Sequence, residues 1–174
     1  MPKLNLIIKL QLISLFLISL PLLNGCGVYS FTGASIPAEA KTISVQYFQN
    51  NALLVEPLLS GEFTNVLRDR FMNQTTLNMV SQNGDLAFEG EITDYRTTPV
   101  AIQSDQTAAS NRLTITVNVR FTNKFDESNN FETKFTQYKE YPSEQDLNAI
   151  KQTLITEIVE MLVDDIFNKS VVNW

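Results

Sequence analysis

The sequence predicts an α+β domain: two helices packed on one face of a mostly antiparallel four-stranded sheet, in the order β-α-β-β-β-α. Three observations point there. From Arg112 to Asn123 apolar and polar residues alternate without a break, the mark of a strand with one buried and one wet face. Two stretches, Leu59 to Phe71 and Leu147 to Phe167, repeat apolar residues at spacings of three and four, as amphipathic helices do. The only long apolar run stands near the N terminus, ahead of the only cysteine and outside this pattern.

Met1 to Gly25 has the three parts of a secretory signal. Lys3 and Lys9 give the positive start, Leu10 to Leu23 the apolar middle, and Gly25 the small residue before Cys26. Leu23-Asn24-Gly25-Cys26 looks like a lipobox, the cleavage and lipidation motif of bacterial lipoproteins. A thiol takes the lipid, and a small residue admits the peptidase. The alternatives are a transmembrane anchor, or an ordinary signal with a cysteine nearby by chance. A spanning helix needs roughly 20 apolar residues, and this run is interrupted by Ser14, Ser19 and Pro21. With one cysteine no intramolecular disulfide can form, and acylation removes a thiol that an oxidising compartment would attack. The expected organisation is residues 1–25 as a cleaved signal, 26–40 as a lipidated tether, and 41–174 as a single domain.

Beyond the tether, Ile43, Val45 and Tyr47 alternate with Ser44 and Gln46, a strand from Lys41 to Gln49. Glu56-Pro57 suits a helix start with proline at the first helical position, and Leu59, Phe63, Val66, Leu67 and Phe71 form its stripe. Asn73 to Thr76 ends it. Leu77 to Ser81 reads as a short strand and Gln82 to Asp85 as a turn or bulge. Leu86, Phe88 and Ile92 then face one way, Glu89, Glu91 and Thr93 the other. Thr97 to Asn111 is a polar hairpin connection, with strand continuing into Val100 and Ile102.

In the long alternating strand, Leu113, Ile115, Val117, Val119 and Phe121 oppose Arg112, Thr114, Thr116, Asn118, Arg120 and Thr122. After a turn at Asp126 to Asn130, the chain returns as a strand to Tyr141 that carries Phe131, Phe135 and Tyr138. Ser143 with Asp146 resembles a capping box. A helix follows to about Asn168, wide enough in its apolar stripe to cover a sheet. Val171 to Trp174 form an apolar tail, expected to pack on the domain.

Composition excludes several functions. The chain carries 13 basic and 19 acidic residues, a net charge of −6. Without Lys3 and Lys9, 11 basic residues face the same 19, giving −8. Such a balance disfavours nucleic acid, whose phosphates demand a basic face. Histidine is absent, which rules out Ser-His-Asp and Cys-His catalysis and histidine-containing zinc sites. No glycine-rich phosphate loop is present. Glu89 and Glu91 should stand about 6–7 Å apart on one strand face, near the spacing of an inverting glycosidase. They point the same way from one surface, however, rather than flanking a cleft. Asp164-Asp165 diverge as helix neighbours, and no base activates the tyrosines. No enzyme, metal or dissociable cofactor is expected; the covalent lipid on Cys26 is the one attached group.

Several segments together resemble the LptE family of lipopolysaccharide-assembly lipoproteins. They are the lipobox, Leu54-Val55-Glu56-Pro57 leading into Leu67-Arg68-Asp69-Arg70-Phe71, Glu89-Gly90-Glu91-Ile92, and Asn111-Arg112-Leu113-Thr114-Ile115. The resemblance implies the two-helix, four-stranded sandwich and a place at the periplasmic face of the outer membrane. It also implies a partner, the LptD β-barrel, whose lumen the protein plugs while lipopolysaccharide is placed on the cell surface. A plug needs a hydrogen-bonding surface toward a polar barrel interior, and the face of Thr114, Thr116, Asn118, Arg120 and Thr122 is of that kind. Arg96, Arg112, Arg120 and Lys124 are the candidate contacts for lipopolysaccharide or barrel, arginine's forked donors suiting phosphate. The plainer alternative for them is surface charge, or pairing with Glu89 and Glu91 across the sheet. The competing function is that of an accessory lipoprotein for another envelope machine, such as a peptidoglycan synthase activator.

Overall fold

The computed structural model describes residues 36–100 and 110–171. In chain order it places β1 (Thr42–Val45), β2 (Gln49–Asn50), α1 (Leu59–Gln74), β3 (Asn78–Val80), β4 (Leu86–Val100), β5 (Ser110–Asn123), a 3-10 turn (Glu127–Asn129), β6 (Phe131–Pro142) and α2 (Leu147–Val171). One sheet runs in the order β3-β1-β4-β5-β6, with β2 paired to β4. The α+β class is as expected, with two helices and a sheet.

The sheet itself differs from expectation: it has six strands, not four, and it is mixed. β4, β5 and β6 form the antiparallel meander, but β1 lies parallel to both β3 and β4, and β2 parallel to β4. Periodicity reports which face a residue takes, not the direction of its neighbour. Direction follows from the connections, since a parallel pair needs a crossover, here α1 between β1 and β3.

A second, very short crossing follows. Residues 81–85 carry the chain from β3, on one side of β1, to β4 on the other. The passage is so tight that a Cβ on Gly84 would lie 2.4 Å from the Ser44 nitrogen and 2.6 Å from the Ile43 carbonyl carbon, and Asn83 takes a positive φ of 57°. Asp85 pins the crossing: its Oδ2 accepts from the backbone N–H of Lys41 (2.9 Å) and of Thr42 (3.0 Å) and from the Thr42 hydroxyl (2.8 Å). These bonds hold the Asp85 carboxyl below its ordinary pKa, the Lys41 N–H first among them.

The core lies between the sheet and the two helices. α1 buries Leu59, Phe63, Leu67 and Phe71, and α2 buries Ile155, Ile158, Val159, Leu162, Val163 and Ile166. A file of five rings threads it: Phe131 to Phe121 (5.3 Å between centroids), Phe121 to Phe88 (4.7 Å), Phe88 to Phe71 (4.9 Å), Phe71 to Phe167 (5.1 Å). It joins β6, β5, β4, α1 and α2 in one apolar stack. The helices also meet through an Arg70–Asp164 ion pair and through Glu62, which accepts from Gln152 and Thr156.

Element ends shift in instructive ways. α1 begins at Leu59, and Pro57 lies in the turn before it. Asp146, not Ser143, caps α2, its Oδ1 accepting from the Asn148 N–H at 3.0 Å. α2 runs to Val171, which is buried, so the first residue of the expected tail belongs to the core; residues 172–174 lie outside the described residues. On β6 it is Tyr141 that continues the core side of Phe131 and Phe135, while Tyr138 is exposed on the other face. Cys26, the signal, most of the tether, Ile102 and the hairpin tip at 101–109 also lie outside the described residues.

Candidate functional site

Among the described residues no helix covers the second face of the β4-β5-β6 meander, and the registers order its side chains into rows. Glu89, Arg120 and Glu132 form one row, Glu91, Asn118 and Lys134 the next. Asp94, Thr116 and Thr136 follow, then Arg96, Thr114 and Tyr138, then Thr98, Arg112 and Glu140. Each row places opposite charges or hydrogen-bonding groups side by side, the cross-strand pairing that stabilises a wet sheet surface.

Each predicted cation has a carboxylate partner. Arg120 lies 3.1 Å from Glu132 and 3.8 Å from Glu89, Arg112 pairs with Glu140 at 2.5 Å, Arg96 with Asp94, and Lys124 lies 3.9 Å from Asp85. Arg112 also stacks over the Tyr138 ring at 4.0 Å, and its hydrogen bond to Glu140 raises the guanidinium's pKa. Glu132 is held below the usual carboxylate range, first by the Asn118 amide and then by Arg120. The four cations do not converge. Arg112 and Arg120 stand eight residues apart on β5, about 27 Å along an extended strand; Lys124 sits beyond the end of that strand, and Arg96 lies one row from Arg112.

The structure instead gathers a different set of groups at the edge of this face. From Val45 opposite Phe88 to Gln49 opposite Glu91, the β1–β2 segment takes four steps where β4 takes three. The extra residue is a bulge, which breaks the ladder and re-aims side chains. Phe48 turns into the core, over Gly90, while Tyr47 turns out to solvent with 56% of its surface exposed. Helix α1 repairs the broken ladder. The hydroxyl of buried Thr64 accepts from the Phe48 N–H at 3.1 Å, and Arg68 donates twice to the Val45 carbonyl, at 3.2 and 2.7 Å.

Beside the bulge opens a polar groove of about 390 Å³. Gln46, Tyr47, Gln49 and Asn51 form one side, and Glu89, Glu91, Asn118, Arg120 and Glu132 the sheet side. The Gln46 amide donates to Glu89 at 2.9 Å and Asn51 to Glu91 at 2.6 Å. Of the predicted site residues only Arg120 belongs here. Alternation groups Tyr47 with Ile43 and Val45 on one side of a strand, whereas Tyr47 is exposed and those two are buried; the adjacent apolar Phe48 is the sign in the sequence that parity changes there. No group of acidic, cysteine or histidine side chains among the described residues is arranged to hold a metal.

A second unforeseen feature is the loop before α1. Leu53, Leu54, Val55 and Leu58 are all exposed, although the loop is tied down by Asn50, which donates to the Glu56 carbonyl, and by a 2.9 Å ion pair of Glu56 with Lys151.

Among solved structures the fold is similar to a minor lipoprotein from Acinetobacter baumannii, with a TM-score of 0.51 at 12% identity over 75% of this chain and 91% of that one. It is also similar to a hypothetical protein from Chlamydia trachomatis, with a TM-score of 0.52 at 11% identity over 77% and 99%. At such identities the likeness is one of fold. No curated protein sequence matches the chain. Residues 40–170 match the family model described as LptE, lipopolysaccharide-assembly. That match spans both helices and every strand of the sheet, and the chain therefore belongs to the LptE family of lipopolysaccharide-assembly proteins.

Proposed function

We propose that this protein is a lipid-anchored plug and support for an LptD-like outer-membrane β-barrel, held at the periplasmic face of that membrane through Cys26. The observation that carries the proposal is the uncovered meander face, whose rows of paired charges and hydroxyls suit contact with a water-lined, polar lumen. Sheet faces that end in a protein's own interior are apolar; this one is built to stay wet. The polar connection that the sequence predicts over 97–111, between the ends of β4 and β5, enters the barrel with this face. Family membership supports the partner, and the absence of histidine supports a role without catalysis.

Arg96, Arg112, Arg120 and Lys124 serve in this reading as barrel contacts before lipopolysaccharide contacts. A lipid phosphate would have to displace a carboxylate already seated on each of them. The test is co-purification of the barrel with the full-length lipidated protein from detergent-solubilised membranes. Deleting Ser104 to Ala109 should lower the barrel yield while leaving the domain folded; an unchanged yield counts against the plug. Mass spectrometry of the mature protein should show a lipidated Cys26, and a bare thiol would remove the anchor from the proposal.

A further inference from the structure

The groove beside the bulge shares Arg120 and its row with the meander face, but Tyr47 and the segment from Gln46 to Asn51 stand outside the rows proposed to meet the barrel. The groove's opening is bounded by an exposed aromatic ring on one side and by oriented planar polar groups on the other. We propose that it is a saccharide site, taking an uncharged or amino-bearing hexose unit and excluding phosphorylated sugars.

Three features of the groove argue for that ligand. Tyr47 offers a ring that is apolar on its faces and polar at its tip, held out of the core by the bulge. A pyranose has an apolar C–H face of matching size and hydroxyls around its rim. The acceptors for those hydroxyls are fixed in advance. Glu91 is held through its Oε2 by Asn51, and Glu89 through its Oε1 by Gln46. Among the described residues this leaves Glu91 Oε1 to accept from a ligand, since a carboxylate has about four lone-pair sites. The volume, about 390 Å³, falls in the range of small-molecule sites.

Charge decides the class of sugar. Glu89, Glu91 and Glu132 face the groove against the single guanidinium of Arg120, which already sits 3.1 Å from Glu132. A phosphate or carboxylate would meet two uncompensated negative charges, whereas a neutral or ammonium-bearing ring would not. The site binds rather than hydrolyses. Glu89 and Glu91 project from the same side of one strand, and Glu132 is held ionised by Asn118 and Arg120, so it is no proton donor.

Saccharide binding is measured on the protein without the barrel, so failure of the plug and failure of this site are read separately. Full-length protein in detergent micelles is titrated calorimetrically with an N-acetylglucosamine tetramer, a glucosamine tetramer and a bisphosphorylated glucosamine disaccharide. At least one unphosphorylated tetramer should bind, and the bisphosphorylated sugar should not compete with it. Tyr47→Ala should weaken binding tenfold or more, Tyr47→Trp should preserve it, and Glu91→Gln should weaken it about threefold. Both residues are solvent-facing in the groove, and unchanged thermal melts of the variants would confirm that the fold is intact. No binding of either tetramer, binding indifferent to Tyr47→Ala, or tighter binding of the bisphosphorylated sugar would overturn the site. Barrel co-purification scored on the same variants reports separately on the plug.

Discussion

The two faces of the β4-β5-β6 meander are made by the same strands, in alternate residues, yet they are stabilised in opposite ways. On one, Leu86, Phe88, Leu113, Ile115, Val117, Val119 and Phe121 are removed from water by α1 and α2. On the other, polar and charged side chains pair across the strands and between neighbouring rows, as Arg120 with Glu132, Arg112 with Glu140 and Asn118 with Glu132 do. Burial of apolar area on the first face supplies most of the stability, at roughly 25 cal/mol per Å². Exposed ion pairs contribute about 0–1 kcal/mol each, so the second face adds little. It is instead free to be specialised for contact, because changes there cost the fold almost nothing. The difference between the faces separates stability from function within one sheet.

The largest effect that would break this comparison lies in the ring file. Phe88 is buried between Phe71 and Phe121, and Phe88→Ala should destabilise by about 3–5 kcal/mol in urea unfolding. A loss below about 1 kcal/mol would mean that the helical face is not where stability resides. Next comes Thr64→Val, which keeps the shape of the side chain but removes the acceptor for the Phe48 N–H at the bulge. It should cost about 1–3 kcal/mol, the penalty of a buried unpaired donor.

A smaller effect is expected in acid. Asp85 and Glu132 have carboxyls lowered by their hydrogen-bond donors, from ordinary values of 3.8 and 4.5. Their stabilisation is therefore complete above those values and is lost as pH falls through the lowered ones. Asp85→Asn should flatten the decline of stability as pH falls below 3.8; an unaltered slope would remove Asp85 from the list of causes. Smallest of all is Thr116→Val. Thr116 shares a 2.9 Å hydroxyl contact with Thr136 on the open face, so the change made at Thr64 should here stay within about 0.5 kcal/mol. Equal costs at Thr64 and Thr116 would erase the distinction between the faces.

Much of this was legible in the chain. Strict alternation over Arg112 to Asn123 predicted β5 and both of its faces, and the helical stripes were read correctly because burial imposes a 3.6-residue period that local sequence records. Arg112 and Arg120 share one face of β5, as the alternation predicts, and both engage carboxylates across the sheet. Glu89 is one of the partners foreseen; Glu132 and Glu140 come from β6, whose register sequence alone could not supply. Tyr47 was misplaced because a one-residue bulge inverts parity and leaves no mark in the pattern before it.

What the sequence determined by itself was local: which segments are helix or strand, which side of each is apolar, and that histidine-based chemistry is unavailable. Those properties depend on neighbours a few residues away. The parallel placing of β1 between β3 and β4, the crossing at Gly84, the bulge repaired by Thr64 and Arg68, and the groove it opens were decided only by the tertiary structure. The crossing and the bulge depend on backbone groups meeting side chains some 16 to 43 residues away, and residue types spaced so far apart carry no periodic trace of that meeting.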